Sequence, residues 1–431
     1  MNQSESSPGA APVFGPERRR AAQGALAVLV AVNVMSQLDR QVMNVLIPDI
    51  QADLALTDTD AGWLVGFAFA VFYSIAGFPL ARLADRGNRR NLIAVALAAW
   101  SGMTALCGLA RGFLELFLAR IGVGVGEAGC APSAQSLISD YFPPEYRGRA
   151  LATYQLGVPI GILIGSIAGG TLSDLLDWRT VFLIFGLPGL LLAAFTRWKL
   201  VEPPRGLADG RTATGVEPIG GVLRFLFGMP ALRHILLAAT LHTMAVGAQV
   251  TFNFTFLTRV HGLSGATAGV VIGLLTGVLG GIGTYLGGWC GDRLGVRDRR
   301  WYVWSIGLGA VLSIPFSIAA YLVSAPWLAI AALSISVIGS YMYAGAVHAV
   351  SQSLARPRMR AMTAATMLFS MNLVGYGLGP PLAGWLSDAL GGDQALRYAL
   401  ALMNVVLLWG CVHYALAARS YRMDLATAGD D

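Results

Sequence analysis

The chain is short of charge, of lysine and of paired cysteine. Asp, Glu, Lys and Arg make up 13% of its 431 residues, about half the usual share of a soluble domain. Meanwhile 55% of the side chains are apolar and the mean hydropathy is +0.61, so the chain reads as an integral membrane protein. Twenty-nine of the 30 basic residues are arginine, and the one lysine is Lys199. The Gly-x-x-x-x-Gly-Lys-Ser/Thr loop that cradles ATP phosphates is therefore absent, as is a mid-membrane lysine for a retinal-type Schiff base. Cys107, Cys130, Cys290 and Cys411 stand singly in apolar runs without Cys-x-x-Cys spacing, which indicates neither a disulfide framework nor a zinc site. There is also no Gly-x-Ser-x-Gly elbow, His-Glu-x-x-His motif or His/Asp catalytic pair, so a membrane-bound enzyme is not indicated. No catalytic residue, metal or cofactor is expected.

What the sequence does have is hydrophobic runs. A transmembrane helix needs about 20 mostly apolar residues. Twelve such spans can be read, at 21–47, 60–81, 91–110, 113–139, 150–172, 180–198, 234–257, 266–289, 301–323, 326–352, 361–385 and 396–417. Residues 1–20, with Ser, Pro and Arg18-Arg19-Arg20, read as a disordered tail, residues 201–230 as a polar linker and 419–431 as a second tail. With the N-terminus inside, 24 of the 30 basic residues fall on the inner face, and the outer face holds Arg111, Arg179, Arg259 and Arg397. The first outer region has no basic residue and carries Asp49, Asp53, Asp58 and Asp60. By the positive-inside rule both termini are cytoplasmic, and the net +6 is a topology signal rather than a nucleic-acid footprint. The remaining two, Arg40 and Arg120, fall inside the apolar spans.

The two halves repeat. Leu56, Ala61, Gly62, Gly66, Asp85 and Arg86 recur 207 residues later as Leu263, Ala268, Gly269, Gly273, Asp292 and Arg293. At an offset of 214, Gly161, Gly165, Gly170, Leu172, Ser173 and Asp174 match Gly375, Gly379, Gly384, Leu386, Ser387 and Asp388. This predicts an all-α membrane protein of 12 helices in two six-helix bundles, 21–200 and 231–418, a duplication typical of secondary transporters. The loop 81–90, Ala-Arg-Leu-Ala-Asp-Arg-Gly-Asn-Arg-Arg, resembles the major facilitator signature Gly-x-Leu-Ala-Asp-Arg-x-Gly-Arg-Arg. Leu116, Arg120, Gly124 and Ala128 match that family's second motif, and Gly161-x-x-x-Gly165-Ser166-x-x-Gly169-Gly170 its antiporter motif with Ser in place of Pro. The resemblance implies a cytoplasmic gate at Asp85, Arg86, Arg89 and Arg90, duplicated at Asp292 and Arg293. Leu38-Asp39-Arg40, Pro48-Asp49-Ile50, Leu56-Thr57-Asp58-Thr59, Asn88 and Arg120-Ile-Gly-Val-Gly-Val-Gly-Glu127 further resemble the Spinster-like branch. Members of that branch export lysolipids or sphingosine phosphate; organic-anion symporters of the superfamily share some of these features.

Asp39, Arg40, Arg120 and Glu127 lie well inside apolar spans, where an unpartnered charge costs about 2.5–3.5 kcal/mol on insertion scales. Asn33, Gln37, Arg40 and Asn44 recur at helical spacing and form a polar stripe expected to line a cavity. Counting at about 1.5 Å per residue sets Asp39 and Arg120 roughly 13 Å below the outer surface, with Glu127 about 10 Å deeper on the face of Arg120. Two readings are open. Asp39/Arg120 and Glu127/Arg40 form permanent pairs that hold two helices together, or Glu127 with Asp39 exchanges protons while Arg40 and Arg120 meet an anionic head group. The second half has no matching charges, and an ionic wall facing an apolar one suits an amphiphile. The expected function is thus proton-coupled transport of an amphiphilic anion, with Arg40, Arg120, Asn33, Gln37 and Asn44 as the binding set. The alternative is a multidrug or small organic-anion proton-coupled transporter of the same superfamily. The expected partners are a small-molecule or lipid substrate, protons and the bilayer, with no nucleic acid. The chain is expected to act as a monomer in the plasma (inner) membrane.

Overall fold

The computed structural model describes residues 15–204, 219–356 and 359–429. Among these residues there is no strand. Twelve long helical spans follow one another: α1 (Pro16–Leu54), α2 (58–86), α3 (Arg89–Cys107), α4 (113–141), α5 (Pro144–Ser173), α6 (Trp178–Lys199), α7 (Pro230–Val260), α8 (Gly265–Gly295), α9 (Trp301–Leu322), α10 (Pro326–Leu354), α11 (360–390) and α12 (Ala395–Gly429). A short helix, Ile219–Gly228, precedes α7 within the stretch read as a linker. Residues 16–20, read as part of a tail, form the first turns of α1. Proline stands at N1, where its missing N–H is no loss.

Start signals in the sequence are used. Thr57 opens α2 with a reciprocal box: its hydroxyl accepts from the Asp60 N–H at 3.1 Å, and the Asp60 carboxylate accepts from the Thr57 N–H at 3.0 Å. Ser264, 207 residues on, caps α8 by accepting from the Thr267 N–H at 3.2 Å. Interruptions also have local causes. Proline cannot donate to the carbonyl four residues back. Accordingly α4 breaks at Gly129, next to Ala128, whose carbonyl Pro132 leaves without a donor, and the first piece of α5 ends at Gln155, four before Pro159. In α11 a widened π-type turn, Met371–Tyr376, ends four residues before Pro380. Similar widened turns occur in α2 (Trp63–Phe67) and α8 (Gly273–Leu279), the duplicated pair.

Within the N-terminal half α1 packs on α5 and α3 on α6; within the C-terminal half α7 packs on α12 and α9 on α10. The halves meet along α2 against α11 and α5 against α8. Glycine permits that approach. A Cβ on Gly62 would lie 2.6 Å from the Pro380 backbone, and one on Gly265 would lie 2.6 Å from the Gly170 carbonyl oxygen.

The end of the molecule away from the arginine-rich loops is closed by polar contacts between halves. Asp174, at the end of α5, accepts from the N–H groups of Gly265 and Ala266 at 2.8 Å each, at the start of α8. Asp388, at the end of α11, accepts from the N–H groups of Asp58 and Thr59 at 3.1 and 2.9 Å, and from the Thr59 hydroxyl. The two clamps are related by the internal repeat. Between them Asp58 is buried and accepts from Arg259 (2.9 Å to each oxygen), Gln51 (2.8 Å) and Ser387 (2.6 Å).

Candidate functional site

A cavity of about 240 Å³ lies between the halves. Gln37, Arg40, Gln41 and Asn44 of α1, Gly66 and Phe69 of α2, and Arg120 of α4 form one side; Val250 and Thr251 of α7, Thr276 of α8, Tyr341 of α10, and Asn372 and Tyr376 of α11 form the other. The widened turns of α2, α8 and α11 all contribute to it, at Gly66, Thr276 and Asn372.

Arg40 links this space to a buried acid. Its Nε donates to Glu127 Oε2 at 2.8 Å and its Nη2 lies 2.7 Å from the same oxygen, while Ser36, one turn earlier on α1, donates its hydroxyl there at 2.8 Å. Thus one carboxylate oxygen takes three donors. The other, Oε1, is buried and has no hydrogen-bond partner. The Arg40 side chain is 32% exposed and the Glu127 side chain 1%, so Glu127 sits behind Arg40 and is not itself part of the cavity wall. Aromatic faces hold the guanidinium from the side, with its carbon 4.4 Å from the Phe69 centroid and 5.0 Å from that of Tyr73.

The structure does not bring Asp39 and Arg120 into an ion pair. Asp39, one residue before Arg40 and about 100° round α1 from it, is buried with Trp100 and Thr104 of α3 as its polar neighbours, and neither of its oxygens has a hydrogen bond. Equal counts from the outer surface fix depth and not facing, and Asp39 turns toward α3 rather than α4. Arg120 is buried at the cavity wall, reaches the Leu64 carbonyl at 3.5 Å and lies 5.3 Å from the Phe69 centroid. Among the described residues it has no acidic partner. An ionic group at such depth without a partner carries most of its desolvation cost.

Of the expected polar stripe, Gln37, Arg40 and Asn44 line the cavity, while Asn33 does not: it donates to the Tyr154 carbonyl at 2.8 Å, where α5 covers this stretch of α1. Ser36, Phe69, Tyr73 and Tyr376 escaped the sequence reading. Ser36 lies one helical turn before Arg40, a signal that could have found it. In the C-terminal half His242 is packing: it stacks on Tyr343 at 4.1 Å and bonds the Ser340 carbonyl at 2.9 Å.

The residues expected to form a gate divide. The Asp85 side chain lies outside the described residues. Arg86, Asp292 and Arg293 are exposed and form no ion pair among the described residues. Arg89 is buried instead, bonded to Asp140 at 2.5 Å and Glu202 at 2.7 Å, and Glu202 also accepts from the Arg90 N–H at 2.9 Å. Arg89 and Arg90 therefore fasten the start of the linker to α3 and α4 rather than joining the two halves. On the other half Asp298, in the loop before α9, is bonded by Arg300 and Arg422, and these bonds hold its carboxyl down at about 2. No cluster of metal-ligating side chains occurs among the described residues.

The sequence profile of the Major Facilitator Superfamily matches residues 29–372. A protein of Mycolicibacterium smegmatis described as an MFS-type efflux pump is 35% identical over 417 residues, covering 95% of each chain. Human protein spinster homolog 1 is 33% identical over 189 residues, which are 43% of this chain and 35% of that one. Among solved structures, a bacterial homologue of the human lysosomal transporter Spinster, inward-facing and unoccupied, superposes with a TM-score of 0.87 at 30% identity, covering 96% of this chain and 99% of the other.

Proposed function

The chain belongs to the Major Facilitator Superfamily, and on that premise we propose that it is a proton-coupled secondary active transporter carrying an amphiphilic anion, of the lysophospholipid or sphingosine-phosphate kind, by alternating access. One observation carries this reading: a carboxylate buried in a span, Glu127, is bonded to an arginine, Arg40, that lines the cavity between the halves. Taken as ionised, Glu127 and Asp39 balance Arg40 and Arg120. A proton on either acid leaves one net positive charge beside the cavity, and an anionic head group restores the balance. Proton and anion binding then favour one another, by the same factor in each direction. Across the cavity Gly247, Val250, Pro380 and the rings of Tyr341 and Tyr376 offer apolar surface for a tail, interrupted by Thr251, Thr276 and Asn372.

The arginine-rich end faces the cytoplasm of a cell bounded by this plasma (inner) membrane, with both termini there. Residues 21–200 and 231–418 rock about the cavity as a monomer, joined by 201–230. In this orientation the clamps of Asp174 and Asp388 seal the outer side, and Arg86, Asp292 and Arg293, with Asp85, engage when the inner side closes. A second reading, a multidrug or small organic-anion transporter, has support from the 35% identity to the efflux pump over nearly the whole chain.

Proteoliposomes separate the two. Under an imposed pH gradient, uptake is measured for lysophospholipids of one head group and increasing tail length, beside a short-chain organic anion of equal charge. The proposed function requires uptake that rises with tail length and with the gradient. Equal uptake of the short anion decides for the second reading, and indifference to the gradient removes the proton.

A further inference from the structure

Away from the central cavity, a groove of about 460 Å³ runs between α9 and α12. Gly307, Ala415 and Ala418 make it deep by having little or no side chain there. Leu308 and Val311 flank it and are 54% and 50% exposed, so this face of the molecule looks out to hydrocarbon. From Arg300 to Val311 α9 rises about 16 Å, roughly half of a hydrocarbon core of about 30 Å. The groove is thus one leaflet deep.

Its mouth is at the arginine-rich end. Trp304 lies under the Arg300 guanidinium at 4.6 Å, an amphipathic ring at the depth where such rings anchor. Arg300 and Arg422 share one carboxylate, Asp298, at 2.9 and 2.8 Å. Arg299 is exposed on the same rim, and of the four arginines there, Arg299, Arg300, Arg419 and Arg422, only Arg300 and Arg422 bond Asp298. Asp424, further along α12, is engaged by the Ala231 N–H at 2.7 Å. Arg419 is the uncompensated cation that lines the groove itself: it is exposed and has no hydrogen bond or ion pair among the described residues.

We propose that this groove is a binding site for one anionic glycerophospholipid of the adjoining leaflet, with an acyl chain lying along Gly307 and Ala415 and the phosphate on Arg419. An apolar groove alone would accept any lipid tail. The unneutralised cation at head-group depth is what selects a net negative lipid over a zwitterion, whose own ammonium already balances its phosphate.

The test uses native mass spectrometry of the full chain with phosphatidylglycerol and phosphatidylcholine of identical acyl chains, at equal concentration. Wild-type protein retains phosphatidylglycerol preferentially. Arg419→Gln lowers the ratio of retained lipids about fivefold, the effect of one arginine near a membrane surface. Ala415→Phe, which fills the groove, lowers retention of both lipids. Arg197→Gln, an exposed arginine at the same end on α6, leaves the ratio unchanged. An unchanged ratio in Arg419→Gln, an equal fall in Arg197→Gln, or undiminished retention in Ala415→Phe each overturns the assignment. Because Arg419 and Ala415 are exposed, a folding failure does not confound the comparison, and matching melting curves confirm it.

Discussion

Replacing Asp174 and Asp388 together by alanine should open the end of the molecule opposite the arginine-rich loops. Each carboxylate accepts two backbone N–H groups from the first turn of a helix in the other half, at 2.8 and 2.8 Å for Asp174 and at 3.1 and 2.9 Å for Asp388. That is the geometry of an N-cap supplied from outside the helix. An N-cap side chain contributes about 1 kcal/mol, and a negative charge at an exposed helix N-terminus about 0.5 kcal/mol more. Both clamps bridge the halves, so they stabilise only the conformation closed at this end. Two sites give about 3 kcal/mol, a shift of roughly 150-fold toward the conformation open there. The double asparagine variant keeps one acceptor oxygen at each clamp and turns the other into an NH2 that faces a backbone N–H, so it loses the charge contribution and about half of the capping contribution, a shift of roughly 30-fold. Spin labels at Ala52 and Asp393, both exposed on opposite halves, report the separation by pulsed electron resonance in a cysteine-free background. A long-distance population should grow strongly in the alanine pair and less in the asparagine pair. Distributions identical to wild type, or equal shifts in the two pairs, would rule out the clamp energetics.

Other perturbations follow from the same contacts. Gly384→Ala places a methyl against the Asp58 backbone carbonyl, so the same label pair should move apart as it does in the aspartate variants. Arg89→Ala strands Asp140 and Glu202 beside a vacated buried site and should cost about 3 kcal/mol, the lower end for breaking a buried pair because both acids are partly solvated. It should lower the melting temperature, with Arg89→Lys recovering part of the loss since one ammonium cannot fork to both acids; an unchanged melting curve speaks against the buried-clamp role. Asp298 has its carboxyl held down at about 2 by Arg300 and then Arg422. A depressed acid stabilises fully above its unfolded value of about 3.9 and loses that contribution as pH falls through its folded value. Between about pH 5 and 8 it stays ionised, so Asp298→Asn should leave the pH profile of transport unchanged in that window; a displaced profile would show that this loop takes part in coupling.

The helices were legible through apolar length, because a bilayer imposes one thickness on every span, and the pairing of halves through the 207- and 214-residue repeats. Thr57 and Ser264 show how far such repeats extend: both are N-caps at equivalent helix starts. The clamps were half visible. Asp174 and Asp388 appeared as a repeated pair, but their partners lie 91 and 330 residues away, and nothing local says that a helix end will meet a helix start. Asp58 looked like one acid of a polar loop for the same reason. Similarity of motif placed Arg89 with the gate, whereas its burial depends on where residues 140 and 202 fold back. At the site, spacing fixed which residues share depth and face on one helix, which is why Arg40, Gln37 and Asn44 fall together at the cavity. Rotation of one helix against another has no such periodicity, hence the separation of Asp39 from Arg120 and the covering of Asn33 by α5.

The proposed cycle requires buried carboxyls that exchange protons in step with an anion at Arg40 and Arg120. Anion binding to purified protein across about pH 5 to 8 probes this step without the complications of transport, for wild type, Glu127→Gln and Asp39→Asn, with uptake or release of protons followed in the same weakly buffered sample. Wild type should bind more tightly at low pH and take up protons on binding, and the neutral variants should lose both the slope of the binding curve and the proton signal. Equal pH slopes and equal proton uptake in all three proteins would instead leave Glu127 and Arg40 as fixed cross-links between α1 and α4.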